Sequence, residues 1–158
     1  MWDLYIGEWI GVGVITLISL VIATRGLLNF CTIQHRRRAR KRFRHQRERL
    51  EARFFDIASA TGKPRGLRWV DIDFEDAVCF AVDREKNQLL ALVGVTIGFE
   101  AVEGGGMEEV EAVGNLRAAT ALFHLDGNWW NTNGRVLFNL EPVEALSRLD
   151  GVMDRVAD

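Results

Sequence analysis

This chain of 158 residues is poor in the residue types that cross-link small domains. It has only two cysteines, Cys31 and Cys79, and the second lies in an apolar, strand-like run. Small secreted domains usually need several paired cysteines. The scarcity therefore excludes a disulfide framework and agrees with a reducing compartment for the folded part.

Common catalytic motifs are missing as well. No G-x-S-x-G nucleophile elbow occurs, and Gly62-Lys63 is followed by Pro64 where a Walker A loop needs Ser or Thr. His124 and Cys79 lack the paired spacing of zinc ligands. A Cys79–His124 nucleophile pair is formally open, but cysteines in mid-strand are usually inert. We expect no cofactor, and the chain looks less like an enzyme than like a binding protein.

Charge is distributed unevenly along the chain, although the net charge is only −2. Residues 25–53 hold eleven Lys and Arg against two Glu, a net charge of +9. Residues 63–158 hold nine Lys and Arg against seventeen Asp and Glu, a net charge of −8. Such a split predicts separate environments, with the basic block near phosphate, anionic lipid or the chain's own acidic region.

The stretch from Trp9 to Thr24 has no charged residue. Its sixteen residues make about 24 Å of helix, so a span of the ~30 Å hydrocarbon core must recruit flanking residues. A buried core helix is the alternative. Gly7-x-x-x-Gly11 has the spacing that lets membrane helices dimerise, although a chance occurrence of the two glycines is the favoured interpretation.

Charges on the two sides of this stretch predict its orientation. Asp3 and Glu8 precede it and the arginines follow it, which is the reverse of a signal peptide. The positive-inside rule then places the N-terminus outside and the C-terminal domain in the cytoplasm. We expect a single-pass membrane protein.

Residues 34–60 contain neither proline nor glycine and are rich in helix-forming residues. Phe43, Leu50 and Ile57 are seven apart, and the helix should end near Gly62. Three interpretations stay open: a clamp on anionic lipid, a short coiled coil through the apolar stripe, and nucleic-acid binding, which is the least favoured. The predicted lipid or phosphate contacts are Arg36, Arg37, Arg38, Arg40, Lys41, Arg42 and Arg44.

The acidic region has the pattern of an antiparallel α+β domain. Strands are predicted over residues 67–74, 78–82, 89–102 and about 110–125, with a hairpin at Asn133-Gly134. Gly94, Thr96 and Gly98 leave one face of the long strand thin enough for another backbone or a helix to approach. Pro142 and the spacing from Val143 to Val156 predict a C-terminal helix on the sheet, which Gly151 could end or weaken.

Two groups of side chains in this domain are candidates for function. Adjacent tryptophans in a strand point to opposite faces, so at least one of Trp129 and Trp130 should leave the core, where it could contact a partner or the membrane interface. One buried and one half-covered indole is the favoured interpretation. Four carboxylates form the second group: two alternate along the first predicted strand and two lie at the end of the long strand. Carboxylate oxygens suit Mg²⁺ or Ca²⁺, so these residues are candidate metal ligands. A solvated sheet face is the favoured interpretation of these carboxylates, which are Asp71, Asp73, Glu100 and Glu103.

A resemblance covers most of residues 62–150. The runs GKPRGLRW from Gly62, LVGVT from Leu92 and EGGGME from Glu103 resemble a family of short, single-span bacterial membrane proteins that is itself uncharacterised. That family has no known activity, ligand or catalytic residue. The resemblance therefore supports a single-domain architecture and implies no site.

Together these patterns predict an α+β protein in three parts. Residues 1–33 are the transmembrane anchor, residues 34–62 the basic juxtamembrane helix, and residues 63–158 the acidic cytoplasmic domain. The predicted function is a bitopic membrane protein that presents a binding or scaffolding domain at anionic lipid, with a protein partner or homodimer. The alternative is a membrane-tethered enzyme or sensor with a divalent-metal site.

Overall fold

The computed structural model describes residues 2–61, 66–107, 109–110 and 114–156, without the side chains of residues 2–16 and 29. The elements are α1 (Trp2–Thr61), β1 (Leu67–Asp83), β2 (Gln88–Ala101), β3 (Arg117–Asp126), β4 (Trp129–Asn131), β5 (Val136–Phe138), α2 (Pro142–Arg148) and β6 (Met153–Arg155). Contacts divide the chain into two units, residues 1–41 and 42–158.

The described residues of the first unit all belong to α1. Anchor and basic segment are one helix in the structure, and it ends at Thr61, where the predicted end lies; Gly62 to Pro64 are outside the described residues. Among the described residues, an 18-residue window of this helix has a mean hydropathy of 1.4, and none of it is buried. By length and composition α1 can cross a membrane, but a signal sequence passes the same test, so the indication is weak. The Gly7 and Gly11 motif lies in the part without described side chains.

The second unit is an antiparallel sheet in the order β4-β3-β2-β1-β6, with β5 also paired to β3. The long hairpin of β1 and β2 is its centre, and β1 carries register shifts between Trp69 and Asp71 and between Phe74 and Val78. The extra residues in β1 bend the strand there. The predicted α+β class with an antiparallel sheet is confirmed.

Both faces of the sheet are covered by helix. On one face Phe43 and Phe54 of α1 contact Phe80, Phe123, Trp130 and Phe74, with ring centroids 5.0 to 6.0 Å apart. On the other face α2 packs through Ala145 and Leu146 against a cluster with Leu92 and Leu122. The apolar stripe of residues 43–58 is thus buried against the chain's own sheet, so the coiled-coil alternative is wrong for this stripe.

The C-terminal helix is shorter than its apolar spacing predicts. It ends after Arg148, and Gly151 adopts a positive φ of 94°. Met153 to Arg155 then pair with β1 as β6. Arg84 fixes this strand, because its guanidinium holds Asp154 at 2.5 and 2.9 Å. The same hydrogen bond lowers the pKa of Asp154 and raises the pKa of Arg84.

The hairpin predicted at Asn133-Gly134 is also wrong. The hairpin turn lies at Gly127-Asn128, and both β4 and β5 pair with β3, one after the other along its edge. Gly134 joins them with a φ of 71°, and a Cβ built there would lie 2.8 to 3.1 Å from Ile57 and Ala58. The glycine is needed because the loop touches the helix α1, not because it turns a hairpin.

The third long strand is shorter than predicted, since β3 begins at Arg117 and not near Val110. At Gly94, what approaches the thin face of β2 is a side chain of the neighbouring strand β1. The Glu75 carboxylate lies over Gly94, where a Cβ would overlap it. The bulge that carries Glu75 is held from the helix side, since Arg47 donates to the carbonyl oxygens of Asp76, at 2.8 Å, and of Glu75.

Candidate functional site

The predicted basic contact residues are not equivalent in the structure. Arg37, Arg38, Lys41 and Arg44 are exposed, whereas Arg36, Arg40 and Arg42 are half-buried. Arg42 has a partner within the second unit, since its Nη1 donates to the Asn128 carbonyl oxygen at 3.0 Å and to the Asn128 side-chain oxygen. Asn128 belongs to the turn between β3 and β4, so Arg42 stabilises this hairpin.

The tandem tryptophans divide as the strand alternation predicts. Trp130 is buried, and its ring centroid lies 5.0 Å from that of Phe43 and 6.0 Å from that of Phe80. Trp129 is 69% exposed. One indole therefore belongs to the core and the other is available at the surface.

A groove of about 170 Å³ separates β4 from the adjacent turns of α1. Arg49 and Arg53 line it from the helix and lie one turn apart, beside Leu50. Neither guanidinium makes a hydrogen bond or ion pair with any residue that the structure describes. The residues that line this tryptophan groove are Gln46, Arg49, Leu50, Arg53, Trp129, Trp130 and Asn131.

Two like charges at this helical spacing repel each other slightly. The repulsion, together with the lack of a carboxylate partner in the described part of the chain, makes the groove a favourable place for an anionic group. Trp129 adds a large planar surface that costs little conformational entropy to immobilise. Arginine and tryptophan are the residue types that most often dominate binding energy at interfaces.

The four predicted metal donors are all exposed. Asp71 and Asp73 pair across the sheet with Gly98 and Thr96, and Asp71 accepts a hydrogen bond from the backbone N–H of Ile72 at 2.9 Å. Glu100 is bound to Arg68 by two hydrogen bonds of 2.6 and 3.0 Å. Glu103 follows β2 in the turn before Gly104.

No group of three or more His, Cys, Asp or Glu side chains could hold a metal ion among the residues that the structure describes. The metal site consequently stays a prediction, and nothing in the geometry adds to it. Cys79 and His124 lie on strands that both flank β2, so about 10 Å of sheet separates them. That distance is too long for a nucleophile and its base.

A second pocket, of about 290 Å³, lies around His124. It is lined from β1, β2, β3, β6, the turn after β1 and the loop after β4. Apolar residues of the pocket include Leu90, Leu122 and Met153, all buried. The charged residues around it are Asp83, Lys86, Asp126 and Arg135.

Burial lowers the pKa of His124, since it penalises the imidazolium form. The nearby Asp126 charge acts in the opposite direction, and Lys86 lowers the pKa further. At neutral pH the imidazole is consequently uncharged and offers one hydrogen-bond donor and one acceptor. Sequence reasoning missed this pocket because six separate segments supply its lining, and no short motif contains them.

No family model, curated protein or solved structure matches this chain. The comparisons add no activity, ligand or partner to the two pockets.

Proposed function

We propose that the protein is a single-pass membrane protein that presents its α+β domain as a binding module at the cytoplasmic surface of an anionic membrane. The observation that carries the proposal is the tryptophan groove, in which exposed Trp129 lies beside Arg49 and Arg53. The partner is a protein, and the arginines select an acidic segment of it.

The membrane anchor is supported by the apolar composition of the first part of α1. The segment that joins this part to the domain is short. Nine residues lie between Ile33, in the apolar part of α1, and Phe43, the first core residue of the second unit. Even fully extended, they reach about 35 Å. The domain therefore stays close to the bilayer. The exposed arginines are attracted to anionic head groups, and each contributes about 1 kcal/mol to that attraction.

Orientation follows from the distribution of charge around the apolar stretch. It is tested by a variant that carries Ser147→Cys as its single cysteine, with Cys31 and Cys79 replaced by alanine. Ser147 is exposed in α2. A membrane-impermeant maleimide should label this variant in intact cells only after permeabilisation. Labelling of intact cells would overturn the cytoplasmic assignment.

The partner is tested with a photo-crosslinking amino acid at position 129 of the full chain, in the cells that naturally make the protein. A second variant carries the probe at Phe138, which is also exposed but lies outside the groove. We expect an adduct of one discrete size from position 129 and none from position 138.

Arg49→Gln combined with Arg53→Gln should lower the adduct yield roughly tenfold, because two exposed charges contribute about 1–2 kcal/mol together. The matched control is Arg148→Gln, whose guanidinium pairs with Glu144 on α2. Equal adducts from both probe positions, or a yield that is insensitive to Arg49 and Arg53, would contradict the proposal.

A further inference from the structure

The pocket around His124 contains charges of both signs that do not neutralise one another. Asp83 and Asp126 contribute two carboxylates, and Lys86 and Arg135 contribute two cations. None of the four takes part in an ion pair within 4.0 Å in the described part of the chain. Oppositely charged groups therefore face one cavity but remain apart.

The structure fixes the backbone beneath these charges. Asp83 Oδ1 accepts hydrogen bonds of 3.0 Å from the N–H groups of Glu85 and Lys86, which holds the turn that carries Lys86. The Arg135 carbonyl oxygen accepts the N–H of Leu122 at 3.1 Å, which fixes its loop to β3. The charged side chains are consequently presented from positions that the sheet determines.

Size and polarity restrict what the pocket can hold. Its volume of about 290 Å³ is at the lower limit of about 300 Å³ for ligand pockets, so the ligand is small. Leu90 and Leu122 supply an apolar wall. A purely apolar ligand would desolvate four charges without pairing them, and a simple anion would leave two carboxylates uncompensated beside it.

We propose that this pocket binds a free α-amino acid with an aliphatic side chain. Its ammonium group pairs with Asp126, its carboxylate with Lys86 and Arg135, and its side chain packs on Leu90 and Leu122. The neutral His124 imidazole supplies a hydrogen bond without adding a charge. The proposal is independent of the tryptophan groove, which lies at β4 and α1.

The test is calorimetric titration of the full chain in lipid nanodiscs with L-leucine, L-isoleucine, L-valine and L-methionine. We expect saturable 1:1 binding of at least one of them. Three analogues of the best binder then remove its charges: the N-acetyl form lacks the ammonium, the amide lacks the carboxylate, and the N-acetyl amide lacks both. Each lost charge should weaken binding at least about tenfold.

Two variants assign the charges to residues. Asp126→Asn should weaken the amino acid and its amide about tenfold and leave the N-acetyl form unchanged. Arg135→Gln should weaken the amino acid and its N-acetyl form and leave the amide unchanged. Both side chains are exposed, so the fold should survive, and circular dichroism checks this. Arg148→Gln, outside the pocket, is the control and should change nothing.

Three results would overturn the proposal. They are no saturable binding of any of the four amino acids up to about 10 mM, equal binding of all charged and uncharged analogues, and binding that neither Asp126→Asn nor Arg135→Gln affects. Photo-crosslinking at position 129 is unaffected by any of them, so the two proposals fail separately.

Discussion

Two stretches of α1 both carry large apolar side chains, yet they expose them to different extents. Between residues 17 and 30, Leu17, Ile22 and Phe30 are each more than 60% exposed. Between residues 43 and 58, Phe43 and Phe54 are fully buried and Leu50 nearly so. Among the residues that the structure describes, the first stretch is thus exposed and the second is part of a protein core.

The difference follows from how the apolar residues are spaced. Residues 17–24 are uncharged on every side of the helix, and a helix that is apolar all round needs a protein interior or lipid. Residues 42–58 carry one apolar stripe among arginines and glutamates, and a stripe needs one packed surface. The sheet supplies that surface through Phe80 and Phe123. Lipid is the environment that we propose for the first stretch.

The largest expected effect comes from truncating the same residue type in the two stretches. Phe54→Ala leaves a cavity between α1 and the sheet and should lower the free energy of unfolding by about 3–5 kcal/mol. Phe30→Ala removes an exposed ring and should change it by less than about 0.5 kcal/mol. Denaturant unfolding of the full chain in detergent, followed by near-ultraviolet circular dichroism, measures both. Equal losses of unfolding free energy in the two variants would contradict the difference in environment between the two stretches.

Introducing a charge into each stretch should separate membrane insertion from folding. Leu17→Arg should disfavour insertion by about 3 kcal/mol and move the protein out of the carbonate-resistant membrane fraction. Leu50→Arg buries a charge in the core and should unfold the domain while the protein stays in that fraction. A Leu17→Arg variant that remains fully membrane-integrated would show that the first stretch does not span the bilayer.

The close approach of α1 to the sheet depends on Gly134. Gly134→Ala should cost about 2–3 kcal/mol, because the new methyl group meets the backbone of Ala58 in addition to the strain of a positive φ. Gly127→Ala is the control, since its φ is also positive but no atom lies within 4 Å of a Cβ there. It should cost only about 1–2 kcal/mol. Equal losses of stability in the two variants would show that the fold does not depend on the close approach of α1 to Gly134.

Local sequence patterns predicted the helices and strands of this fold better than they predicted which elements pack against each other. The alternation of polar and apolar residues was sufficient to predict strands in β1 and β2. The helix-forming composition of residues 34–60 was sufficient to predict a helix. The stripe through Phe43 and Leu50 fits a coiled coil and a helix on a sheet equally well, since both need one apolar face. Only the long-range pairing of β1, β2 and β3, which creates the matching aromatic surface, distinguishes the two.

The misplaced hairpin and the overlong C-terminal helix have the same origin. Asn133-Gly134 has the residues of a tight turn, but that glycine is needed because α1 comes close to it. Met153 continues a helical spacing, but pairing with Asp83 at a free strand edge takes precedence. The His124 pocket could not be predicted at all, because its charges come from turns and strand ends that only the complete sheet brings together.

The smallest expected effect distinguishes two arginines on α1. Arg47 donates to the carbonyl oxygens of the β1 bulge and to Glu51 at 2.6 Å, so Arg47→Gln should cost about 1–2 kcal/mol of folding free energy. Arg37 is exposed, and Arg37→Gln should leave folding unchanged. It should instead lower the preference for spin-labelled phosphatidylglycerol over phosphatidylcholine, measured by electron paramagnetic resonance, about fivefold, or 1 kcal/mol. An unchanged lipid preference would contradict the role of the basic segment as a lipid clamp. A lipid effect of Arg47→Gln would show that the stretch packed on the sheet also binds lipid.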